Sequence, residues 1–184
     1  MEKTFIERIG ASKEIIEELG KFSLLWAQFE LEYCGNNCSD KLFLNDKEFE
    51  KFLQNVNNQE KKDKYTLSRE KFLGLCNFKL DFKSLIENLI AELLKYLKKT
   101  RKTITPEFIH EKLYSSNFTS YYSQVDNIIC NNINDNRELF LGGLLIIFRL
   151  RNNLFHGLKD CYSIDKQMEI FKSCNRFLDY LLNY

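Results

Sequence analysis

The sequence predicts an all-α fold, an up-down helical bundle of four or five main helices with short accessory helices, built as a single domain over residues 1–184. Three observations carry this. Helix breakers are scarce, with seven glycines and one proline in the whole chain. Apolar residues recur at three- and four-residue steps along most of its length. No segment has the strict alternation of a strand, and neither an internal repeat nor a linker divides the sequence.

The elements follow in order. Ile15, Ile16, Leu19, Phe22, Leu25, Trp26, Phe29 and Tyr33 keep helical spacing, with Ser12 as N-cap and Gly35 as stop. Residues 36–45 read as a loop. Asp46 caps a short helix carrying Phe49, Phe52, Leu53 and Val56, and the polar stretch 57–64 reads as an exposed connection. A third helix is expected over about 67–78. Residues 82–99 give the clearest amphipathic helix, with Leu85, Ile86, Leu89, Ile90, Leu93, Leu94 and Leu97 on one broad face. Thr105-Pro106 has the form of an N-cap followed by proline at the first helical position, ahead of a short helix through Phe108, Ile109 and Leu113. A Ser- and Tyr-rich connection covers 115–124. Asp135 and Glu138 have capping-box spacing and open a very apolar helix. Ser163 begins a last helix through Ile164, Met168, Phe171, Cys174, Phe177, Leu178 and Leu181.

Composition narrows the function classes. The formal net charge is +1, so a nucleic-acid contact has to come from local patches rather than bulk charge. The six cysteines include no Cys-x-x-Cys pair, which argues against a zinc ribbon or a thioredoxin-type centre. Cys34 and Cys38 flank Gly-Asn-Asn at a spacing that can hold a metal, but no second ligand pair accompanies them. Free buried thiols in a reducing cytosol are the expectation. The N-terminal residues lack the apolar core of a signal peptide, and the longest apolar run, 139–148, is too short to span a bilayer. The expected location is cytoplasmic, with no membrane contact.

The segment Arg149-Leu-Arg-Asn-Asn-Leu-Phe-His-Gly157 carries the chemistry. Polar groups beside so apolar a helix must be paired, solvated or functional. At roughly 100° per residue, Arg149, Asn152, Asn153 and His156 lie along one stripe. Arg151 lies off it and converges on His156 if the helix unwinds before Gly157, a natural C′ residue. His exchanges protons near neutral pH, and Arg grips a phosphate through parallel hydrogen bonds. Together they suit cleavage of an RNA phosphodiester in which the 2′-hydroxyl attacks and a 2′,3′-cyclic phosphate forms, with no metal required. The competing reading has an arginine paired with a carboxylate and His156 complementing the helix C-terminus.

Arg151-Asn-Asn-Leu-Phe-His156 resembles the Arg-x(4–6)-His signature of HEPN domains, including the polar residue directly after Arg. Arg149 fits at the longer spacing. Leu25-Trp-Ala-Gln-Phe-Glu30 is similar to an element near the start of some stand-alone bacterial members. The two elements sit near opposite ends of the chain, so the resemblance is compatible with most of a single HEPN-like helical domain. It implies a homodimer with facing motif helices and a composite, metal-independent endoribonuclease site. It also implies RNA as substrate, no cofactor, a role in toxin–antitoxin or anti-phage defence, and an antitoxin or inhibitor protein as a further partner. Carried onto this chain, Arg151 holds the scissile phosphate, His156 is the acid/base, Asn152 orients one of them, and Glu30 reaches the site from the first helix. Leu158 stands where relatives silenced by nucleotidyl transfer have Tyr, which argues against that form of inhibition. The alternative is a HEPN-like module that binds RNA or protein without cutting.

Other features are weaker. Lys98, Lys99, Arg101 and Lys102 belong to the densest basic stretch, which can track an RNA backbone as Asn153 can from the motif, or can simply be a solvated helix end. Tyr121-Tyr122 can stack on bases, and His110 reads as a surface histidine. Gly142-Gly143 inside the apolar helix implies close approach of another helix, a dimer partner being one candidate.

Overall fold

The computed structural model describes residues 11–35, 38–77, 82–100, 135–156 and 161–183; for residues 76, 77, 100, 155, 156 and 161–163 it describes the backbone alone. Among these residues the chain is an all-α bundle of six helices without a strand. The helices are α1 (Lys13–Tyr33), α2 (Asp46–Gln54), α3 (Gln59–Leu73), α4 (Phe82–Thr100), α5 (Asn136–His156) and α6 (Met168–Leu182). Three 3-10 turns join them, at Asp40–Phe43, Gly74–Asn77 and Cys161–Gln167. The expectations for Thr105-Pro106, the helix after it, His110, the 115–124 connection with Tyr121-Tyr122, and the basic residues Arg101 and Lys102 fall outside the described residues.

Side-chain caps set the helix starts. Ser12 accepts from the Ile15 amide and itself donates from its N–H and hydroxyl to the Asp165 carboxylate at 3.0 and 2.9 Å, tying the start of α1 to the turn before α6. The cap of α2 is Asn45, one residue earlier than the spacing suggested; its side chain accepts from Glu48 N. Asn58 caps α3 by accepting from Lys61 N, so residues 59–64 are helical where an exposed connection was expected. They are strong helix formers with no apolar stripe, so periodicity could not find them. Asp135 accepts from Arg137 N and opens α5 as expected. α6 begins at Met168, later than Ser163, because residues 161–167 wind as a 3-10 turn first. At the end of α1, Gly35 has φ 58°, a left-handed conformation that favours glycine after a helix.

α5 is the centre of the bundle. Every side chain of known position from Leu139 to Leu150 is buried, on all faces of the helix. A helix apolar all round has to be enclosed by others. Phe140 meets Phe72 of α3, Phe82 of α4 and Phe177 of α6, while Phe148 meets Trp26 of α1 and Phe43 of the first 3-10 turn. Helix direction follows from such pairs. Trp26 and Glu30 of α1 meet Phe148 and Arg151 of α5 in the same order along both helices. Phe82 and Ile86 of α4 meet Phe140 and Gly143 likewise. The C-terminal ends of α1, α4 and α5 therefore lie at one end of the bundle. α6 runs the other way, with Asn175 at Glu18 and Phe171 at Phe22.

Among the described cysteines, Cys34 and Cys38 depart from the expectation of free thiols. Cys34 and Cys38 form a disulfide with Cα atoms 5.0 Å apart, closing the end of α1 onto the segment before the first 3-10 turn. Cys174 does match it, as a free thiol whose burial pushes its pKa up, away from thiolate chemistry.

Gly143 needs its missing side chain. A Cβ there would stand 2.9 Å from both Cγ1 and Cδ1 of Ile86, so the close approach is to α4 of the same chain. Gly143→Ala is expected to destabilise by about 1–2 kcal/mol, overpacking outweighing the gain in helix propensity. Ile86→Val should cost less in the Gly143→Ala background than in the parent, read from urea unfolding midpoints. Equal costs in both backgrounds would contradict the contact.

Candidate functional site

α5 emerges from the core over its last two turns, and charge enters the sequence as it does so. Arg149 is still largely buried. Its Nη2 lies 2.7 Å from Asp40 Oδ2, and the two side chains are 10% and 15% exposed. Asp40 opens the first 3-10 turn, two residues after Cys38. Arg151, two residues on, is partly exposed and more loosely held. Its Nη2 stands 3.8 Å from Glu30 Oε2 of α1, and its Nη1 donates to Asn152 Oδ1 at 3.0 Å. Asn153 is exposed, and Leu154 packs back onto the core.

The two arginines thus occupy different electrostatic settings. Breaking a buried ion pair by removing one partner leaves an uncompensated charge and costs about 3–5 kcal/mol. A long, partly exposed pair is worth about 0–1 kcal/mol. Arg149 is engaged as the paired-arginine reading expects. Arg151 has the longer and more exposed carboxylate contact of the two.

Of the residues singled out from the sequence, the structure brings together Arg151, Asn152 and Glu30, the last from the other end of the chain. The backbone of His156 ends α5, five residues beyond Arg151; its side chain lies outside the described residues. Lys98 and Lys99 are exposed in the last turn of α4 and, with Ala91, Leu94 and Lys95, line a shallow open depression. From the Ile86–Gly143 contact, Lys99 and His156 are each thirteen residues further along parallel helices. Both advance about 20 Å to the same end of the bundle. Arg101 and Lys102 lie outside the described residues. No group of three or more metal-ligating side chains occurs among the described residues, and no described helix is long and apolar enough to cross a membrane.

Two residues escaped sequence reading. Asp40 sits in a polar loop with nothing to mark it as the partner of Arg149. Arg69 lies in α3, whose sequence shows no amphipathic stripe, yet it is 4% exposed. It donates to the carbonyls of Leu42 at 3.0 Å and Leu44 at 2.6 Å and to Asp46 Oδ1 at 2.7 Å, with its guanidinium over the Phe49 ring. Burial lowers its pKa, while the Asp46 carboxylate opposes the shift. Arg69 thereby fixes the loop that presents Asp40. Nearby, burial raises the Tyr33 phenol, with Glu32 adding to the shift.

Compared with known proteins, the chain matches no family model, no curated protein and no solved structure.

The unequal settings of the arginines have measurable consequences. Asp40→Ala is expected to cost about 3 kcal/mol, and adding Arg149→Met should restore most of it. Arg151→Ala should cost less than Asp40→Ala, its carboxylate contact being longer and more exposed. Chemical denaturation of the four proteins checks this; equal losses for Asp40→Ala and Arg151→Ala would contradict it.

Proposed function

We propose that the chain is a metal-independent endoribonuclease of HEPN type. One observation carries the reading: Arg151, next to Asn152 and within reach of Glu30, stands at the emerging end of α5, five residues before the histidine that closes the helix. In this reading the Arg151 guanidinium holds the scissile phosphate and offsets charge developing on its oxygens. His156 takes the 2′-hydroxyl proton or protonates the departing 5′-oxygen. The 2′-oxygen bonds to phosphorus as the P–O5′ bond breaks, leaving a 2′,3′-cyclic phosphate and a 5′-hydroxyl. The nucleophile belongs to the substrate, so the reaction calls for neither a metal nor a cofactor. Asn152 orients Arg151, and Asn153, Lys98 and Lys99 contribute contacts to the RNA backbone. Arg149, committed to Asp40, shapes the site rather than touching RNA. A homodimer that brings the emerging C-terminal turns of α5 together would pair two such ends. The cellular role proposed is that of a cytoplasmic toxin or anti-phage effector restrained by an antitoxin or inhibitor protein.

The Glu30–Arg151 pair favours a second reading. A carboxylate that occupies the guanidinium competes with phosphate, as suits a HEPN-like module that binds RNA or protein without cutting it.

Incubation of the full-length chain with total RNA in EDTA, followed by mapping of the ends, separates the two. The expected result is cleavage with 2′,3′-cyclic phosphate ends. It should fall by at least about 10²-fold in His156→Ala and Arg151→Ala, with circular dichroism unchanged. Binding without new ends supports the second reading. Cleavage abolished by EDTA, or retained by both variants, overturns the first.

A further inference from the structure

The two carboxylates that hold the arginines of α5 are joined through a disulfide. Glu30, the partner of Arg151, lies one turn before Cys34, whose N–H donates to the Glu30 carbonyl at 3.0 Å. Asp40, the partner of Arg149, lies two residues after Cys38. The Cys34–Cys38 bond completes a closed circuit: Arg149 to Asp40, back along the chain to Cys38, across to Cys34, up α1 to Glu30, and over to Arg151.

We propose that Cys34 and Cys38 are a reversible redox pair that gates this end of α5. Oxidation ties the segment carrying Asp40 to the end of α1, and reduction lets that segment relax so that an anion reaches Arg151 while Arg149 keeps its place in the fold. The chemistry balances with a low-molecular-weight disulfide as oxidant. Cys38 is the more accessible of the two, half-buried where Cys34 is buried. Its thiolate attacks the small disulfide and expels one thiolate. The Cys34 thiolate then attacks the Cys38 sulfur and expels the second. Two protein thiols become one disulfide, and one small disulfide becomes two thiols. A small thiol reverses both steps.

The effect is confined. Arg69 holds the carbonyls of Leu42 and Leu44 through bonds that do not involve the cysteines. The segment that gains freedom is 38–41, which carries Asp40. Cys174 is too deeply buried to take part.

The consequence for RNA rests on the ribonuclease reading; the consequence for the protein does not. The test uses the full-length chain equilibrated with dithiothreitol or with oxidised glutathione. Alkylation after denaturation, read on the Cys34 and Cys38 peptides, reports the bond. Hydrogen exchange of peptides spanning 38–42 reports the loop, and the rate of RNA cleavage in EDTA reports the site. Oxidation should protect both cysteines, slow exchange of the loop by about tenfold, as expected for closing a short loop, and slow cleavage by a similar factor. Cys38→Ser, at the half-buried position, should behave as the reduced protein under both conditions. Cysteines that remain fully alkylated in the oxidant, or loop exchange that is the same in both states, overturns the proposal. RNA cut equally fast in both states overturns the gating and leaves the ribonuclease reading standing. A redox-dependent loop in a protein that cuts RNA in neither state supports the switch and removes the ribonuclease reading.

Discussion

Everything at the candidate site follows from the burial of α5. A helix enclosed on every side through Leu150 cannot place a guanidinium at residue 149 without a counter-ion. The 3-10 turn that packs on the helix through Phe43 supplies one. Asp40 opens that turn, and the 2.7 Å pair results. The turn is in turn held by Arg69, whose guanidinium donates to the carbonyls of Leu42 and Leu44. The chain of dependence runs from a greasy helix to a loop conformation, and from the loop to the charge at the helix end.

Two residues further on the constraint has eased. Arg151 is at the rim, its carboxylate partner is more than an ångström farther away than that of Arg149, and its neighbour Asn152 turns an oxygen to it. Arg149 and Arg151 have the same chemistry and nearly the same sequence context, yet one is paired at 2.7 Å within the fold and the other at 3.8 Å near its rim. Parallel packing of α1, α4 and α5 adds the exposed lysines of α4 to the same end of the molecule. The ribonuclease proposal draws on that placement together with the resemblance of the Arg151–His156 string to the HEPN signature.

The fold was legible wherever burial imposes a period. The apolar faces of α1, α4 and α6 carry the residues that helical spacing selects, and Ser12, Gly35 and Asp135 mark helix ends by ordinary capping chemistry. The first turns of α3 were not legible because they are polar all round, and the 3-10 turn before α6 was not because its period is close to that of an α-helix. Arg151 and Asn152 stood out as a short motif, whereas Glu30 was joined to them only through the resemblance to the HEPN signature, since an acidic residue on an amphipathic helix is by itself an ordinary surface group. Asp40 and Arg69 were not legible. Each acts by tertiary contact across more than twenty residues, and neither sits in a pattern. The all-α bundle was legible, but the parallel run of α1, α4 and α5 was not foreseen in an up-down reading, because periodicity says which face is inside and nothing about which way the chain runs.

The central claim is that the two arginines of α5 divide their labour, Arg149 belonging to the fold and Arg151 to the ligand. Arginine side-chain NMR on the reduced full-length chain addresses it directly. A short RNA methylated at its 2′-oxygens, and so unable to be cleaved, is titrated in while both guanidinium signals are followed. The account expects the Arg151 signal to move with saturation and the Arg149 signal to stay in place. A moving Arg149 beside a stationary Arg151, or two signals that ignore the RNA at every concentration, would contradict it.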